Sequence, residues 1–91
     1  MTDVFKRTGR KLRTHRRLAG LSQTDVAEKL NLKSSAIISR WERGKSLPSL
    51  ENALRLSVLY KTLVNELFWD LFAQYRNELH KKKIDHSCND P

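Results

Sequence analysis

Gly20, Asn31, Gly44 and Pro48 punctuate the stretch from residue 10 to residue 60, and the intervals between them admit only short elements. The pattern within the intervals decides which kind. No run alternates apolar and polar residues with period two over a useful length, whereas apolar residues recur three and four apart. With three glycines and two prolines in the whole chain, the interruptions are sparse and mark ends of elements. An all-α fold follows, of short helices joined by tight turns.

The first helix is predicted over about 10–18, with Leu12 and a partly buried His15 on its inner face and Gly20 as its stop. Ser22 caps a helix over 23–30, where Val26, Ala27 and Leu30 are spaced for burial. Asn31 suits the left-handed conformation of a sharp turn. The third helix is predicted over 35–43, with Ile38 and Trp41 facing inward and Gly44 ending it. Ser49, after Pro48, caps a fourth over 50–60, with Leu50, Ala53, Leu54 and Val58 as its expected buried positions. A fifth runs from near Leu63 to about Lys82. In this reading 1–9 is a flexible basic arm, 10–68 the folded unit, 69–82 a helical extension and 83–91 a disordered polar tail.

Charge narrows the class of partner. The chain carries 18 Lys and Arg against 10 Asp and Glu, a net +8, and ten of the cations fall between Arg10 and Lys45, where only three acidic residues offset them. A polyanion such as nucleic acid fits that distribution.

Other classes find little support. Cys88 is the single cysteine, so neither an internal disulfide nor a cysteine-based zinc site is expected. His15, His80 and His86 are scattered, and no glycine-rich phosphate loop is present. The expectation is a non-enzyme with no metal, cofactor or small-molecule substrate. No apolar run approaches the roughly 18 residues of a membrane span, and the opening MTDVFKRTGRKLR lacks a run of signal-peptide length. A cytoplasmic protein without membrane contact is expected.

The runs LRTHRRLAGLSQTDVAEKL, ISRWERGKSLPSLENALRL and VNELF, in that order and spacing, resemble the Cro/repressor-type helix-turn-helix family, the XRE family, over about Leu12–Phe68. The resemblance implies a compact five-helix, lambda-repressor-like DNA-binding domain with an extended C-terminal helix. It implies a sequence-specific regulator of transcription that binds double-stranded DNA, as a repressor on a palindromic operator and as a homodimer. An antitoxin or adaptor that turns the same fold to a protein partner is the alternative.

Position by position, the resemblance makes Gln23 a residue that touches phosphate and braces the recognition helix. It pairs Arg16 with Glu42, and it assigns Arg43 and Lys45 to phosphate. Between Ala27 and Glu42 the chain has one residue more than the family pattern, which the turn near Lys33 or Ser34 must absorb. Ser35 and Ala36 then open the recognition helix, and Ser39 and Arg40 complete the base-reading candidates. Arg40 either pairs with guanine or clamps a phosphate. Ile37 either faces outward toward thymine methyl groups or completes the core, leaving Ile38 as the outlier. Lys33 and Ser34, at the helix N-terminus, suit phosphate. Arg10, Arg13 and Arg17 are further phosphate candidates.

The C-terminal helix carries two adjoining apolar stripes, Leu63, Leu67 and Leu71 on one and Phe68, Phe72, Tyr75 and Leu79 on the other, with Trp69 beside them. They cover about half the circumference, against the roughly 100° a surface helix needs. One stripe packs on the body. The other calls for a second copy of the chain.

Overall fold

Val4, Thr8, Leu12 and Arg16 follow one another four residues apart and are all buried, forming the inner edge of α1 (Thr2–Leu18). A computed structural model describes residues 2–85. The remaining helices are α2 (Gln23–Lys29), α3 (Ser35–Glu42), α4 (Leu50–Leu59), α5 (Val64–Leu67) and α6 (Trp69–Asp85), and no strand occurs among the described residues.

The expected arm at 1–9 is corrected. From Thr2 onward this stretch is the first part of α1, with Val4 and Thr8 buried and the Thr8 hydroxyl donating to the Val4 carbonyl at 2.9 Å. Gly9 does not break the helix because its missing side chain makes a contact possible. A Cβ there would stand 2.4 Å from the Glu42 carbonyl oxygen and 2.8 Å from that of Trp41, so α1 lies directly on the end of α3.

Each short helix is fixed by its start and its turn. Ser22 and Asp25 form a reciprocal cap on α2: the Ser22 hydroxyl accepts from the Asp25 amide at 3.0 Å, and the Ser22 amide donates to the Asp25 carboxylate at 2.9 Å. The amide bond, then the hydroxyl bond, holds the Asp25 carboxyl below its ordinary pKa. Ser34 caps α3 and Ser49 caps α4 in the same sense. Asn31, at φ 62°, and Gly44, at φ 73°, turn the chain out of α2 and α3.

Leu12, Val26, Ala27, Leu30, Ile38, Trp41, Leu56, Tyr60 and Leu67 make the core. Full burial of a side chain such as Leu56 or Leu67 stabilises by about 1.5–3 kcal/mol. The expected inner face of α4 holds at Ala53 and is corrected at its other three positions. Ala53, Leu56 and Tyr60 are buried, whereas Leu50, Leu54 and Val58 are exposed at 75%, 46% and 78%. Both sets obey helical spacing, and only one can face the core; the set carrying the tyrosine ring fills it.

The single C-terminal helix expected from 63 to 82 is broken. At Phe68 the backbone leaves helical geometry (φ −112°, ψ 35°), which separates α5 from α6 and lets α6 run back along α1. Leu71 is buried there, and Arg7 meets Asp70 at 3.6 Å. From Tyr75 to Lys81 every residue is exposed, and the described chain measures 50 × 23 × 23 Å because α6 projects from the body. The helix continues through 83–85, part of the expected tail; 86–91, with His86 and Cys88, lies outside the described residues. No helix among the described residues is long and apolar enough to cross a membrane, and no group of three metal-ligating side chains occurs among them.

Candidate nucleic-acid interface

One carboxylate ties three helices together. Glu42, at the end of α3, is buried, and it accepts from Arg16 Nε at 2.6 Å and from Arg16 Nη2 at 3.0 Å. Gln23, the first residue of α2, donates its amide to the same Glu42 Oε1 at 3.0 Å, and Arg13 Nε stands 3.7 Å from that oxygen. Arg16 Nη1 closes the frame on the Leu21 carbonyl at 2.9 Å. Glu42 thereby holds the Arg16 guanidinium above its ordinary pKa, chiefly through the hydrogen bond. Burial pushes the nearby Tyr60 phenol well above the usual tyrosine range, with Glu42 adding to the shift.

With its C-terminal end held this way, α3 presents a defined outer face. Ala36, Arg40 and Arg43 are exposed and spaced four and three apart, so they share one side, flanked by half-buried Ser35 and Ser39. Ile38 and Trp41 point inward, at 1% and 6% exposure. Of the two arrangements open for Ile37 neither holds in full: it is half-buried and packs against the core, and Ile38 is buried beside it.

The turn before α3 keeps the expected register, with α3 beginning at Ser35. Between Leu30 and Ser34 the left-handed Asn31 redirects the chain, the Leu32 amide returns to the Ala27 carbonyl at 2.8 Å, and the Leu32 side chain packs on the core. Lys33 and Ser34 are left exposed at the entrance to the helix, where the Ser34 hydroxyl accepts from the Ala36 amide at 2.9 Å. Arg43 and Lys45 flank Gly44 and are exposed.

The arrangement is two short helices, a rigid turn, and an exposed helix face with cations at both ends. A helix-turn-helix family model matches residues 12–67, more than half of the chain. The chain belongs to the helix-turn-helix family. Among solved structures, that described as the crystal structure of the DNA-binding domain of BldD is similar, with 29% sequence identity and a TM-score of 0.63, over 74% of this chain and 96% of that one. No curated protein matches at a significant level. The helix-turn-helix family match begins at residue 12 and thus leaves out the first turns of α1.

Sequence reasoning missed those turns and, with them, Lys6 as a neighbour of the interface. The backbone of Lys6 lies against Gly44, where an added Cβ would stand 2.9 Å from the Lys6 nitrogen. A signal was present: Val4 and Thr8 extend the four-residue spacing of Leu12 and Arg16 back toward the N-terminus. Of the apolar residues expected on the C-terminal helix, Leu67 and Leu71 are buried and Phe68 packs on the core, while Leu63, Trp69, Phe72, Tyr75 and Leu79 are exposed at 41–65%.

Proposed function

We propose that this helix-turn-helix protein is a sequence-specific regulator of transcription, a repressor that binds a palindromic operator in double-stranded DNA as a homodimer. The observation that carries the reading is the outer face of α3, where Ala36, Arg40 and Arg43 stand on a helix held by Ser34 at one end and Glu42 at the other. A rigid helix end with small residues at its entrance is what close approach in a major groove about 12 Å wide requires. In this reading Arg40 reads guanine, and Ser35, Ala36 and Ser39 complete the contact with base edges. Gln23, Lys33, Ser34, Arg43 and Lys45 take phosphates and fix the register. Gln23 serves twice, as a phosphate donor and as the brace to Glu42.

In this reading two chains pair through α6, which matches a palindrome. On α6, Phe72, Tyr75 and Leu79 follow one another at three and four residues, the spacing of a two-helix seam, and all three are exposed. Trp69 packs on Phe72 at a ring distance of 5.4 Å and lies under Arg76, so the seam has a preformed aromatic edge.

Arg40→Ala and Arg43→Ala, measured on a selected duplex and on a random one, test the assignment of roles. Arg40→Ala should cost about 1–3 kcal/mol on the selected duplex and little on the random one, while Arg43→Ala weakens both alike. Equal losses on both duplexes for Arg40→Ala would make it a phosphate clamp.

A further inference from the structure

Because α1 is continuous from Thr2, four cations separated in the sequence become one row. Lys6, Arg10, Arg13 and Arg17 are spaced four, three and four apart, which at 3.6 residues per turn confines them to an arc of about 60°. Lys6, Arg10 and Arg17 are exposed, and among the described residues none of these three has an ion-pair partner.

The side of α1 on which the row lies is fixed by contacts with α3. Gly9 sits on the Trp41 and Glu42 carbonyls, Arg13 stands 3.7 Å from Glu42, and the Lys6 backbone lies on Gly44, between Arg43 and Lys45. The row therefore borders the end of α3 and continues the charge of its loop. Arg7, next to the row on the side toward α6, is used differently, since it meets Asp70 at 3.6 Å.

We propose that α1 is a second DNA-backbone surface, which holds a run of phosphates beside the segment that α3 reads. It rests on the DNA-binding reading above and adds to it a sequence-independent contact outside the helix-turn-helix. From Lys6 to Arg17 the row is about 16 Å long at 1.5 Å per residue. A duplex strand carries one phosphate per 3.4 Å of axis and winds about it, so the row is long enough to meet a few successive phosphates. Arg13 is tethered by Glu42 at the centre of the row, and the three exposed side chains are free to follow the strand.

The test is a salt titration of the full chain and of the triple variant Lys6→Gln, Arg10→Gln, Arg17→Gln, each on a selected duplex and on a random duplex of the same length. Arg13 is left in place because it touches Glu42, and matching thermal unfolding of the two proteins establishes that the variant is folded. The triple variant should show a log–log salt slope shallower by about 2.7, at about 0.9 per phosphate contact, on both duplexes, with the ratio of the two affinities unchanged. A variant with the wild-type slope and affinity overturns the α1 surface while leaving the DNA-binding reading in place. A wild-type chain that binds neither duplex overturns both.

Discussion

Arg16 closes on Glu42 through two hydrogen bonds, of 2.6 and 3.0 Å, with both side chains almost entirely out of solvent. Removing Glu42 leaves the buried Arg16 without its carboxylate, so Glu42→Ala should destabilise by about 3–5 kcal/mol, and Arg16→Ala by less, because Gln23 and Arg13 still face Glu42. Replacing both by methionine should cost much less than the sum of the single losses. Urea unfolding of the two single variants and the double gives the cycle. Small and additive losses would show that Glu42 does not hold the helices together.

Gly9→Ala separates two effects of opposite sign. Helix propensity alone favours alanine by about 0.5–1 kcal/mol. The new Cβ would meet backbone atoms of Glu42 and Trp41 within 2.4–2.8 Å, and backbone cannot rotate away. The overlap should dominate and destabilise by about 1–3 kcal/mol. A gain in thermal stability would mean that α1 does not press on the end of α3.

Tyr60 supplies the pH dependence. Its folded pKa lies above the ordinary value of 10, so its contribution to stability is complete below that pH and declines as pH rises beyond it. In a Tyr75→Phe background, phenolate absorbance should rise together with loss of the helical circular-dichroism signal. Ionisation ahead of any unfolding would contradict the buried placement of Tyr60.

The short helices at 23–29 and 50–59 were legible because their caps are local, Ser22 and Ser49 each bonding an amide three residues on, and that at 35–42 because Ile38, Trp41 and Gly44 mark its inner face and its end. What stayed illegible depended on contacts far along the chain. Gly9 looks like a helix boundary until Glu42 is beside it, and α4 offers two apolar faces that only the rest of the core can choose between. The break at Phe68 has no glycine or proline to announce it. In the candidate interface, the Arg16–Glu42 pairing was readable only through family resemblance, since 26 residues separate the two.

The exposed half of α6 gives the expectation for assembly. Phe72→Glu with Leu79→Glu places charge on the free seam without touching Leu71 or Leu67 in the core. Light scattering at micromolar concentration should give a dimer for the wild-type chain and a monomer for this variant. A monomeric wild type, or a dimeric variant, would remove α6 as the interface.

Selection of bound sequences from a pool of random duplex DNA tests the central claim most directly, because it asks whether the face of Ala36 and Arg40 reads bases at all. The account predicts enrichment of a palindrome whose half-sites lie about one helical turn, roughly 34 Å, apart. Binding retained with no enriched sequence would contradict it.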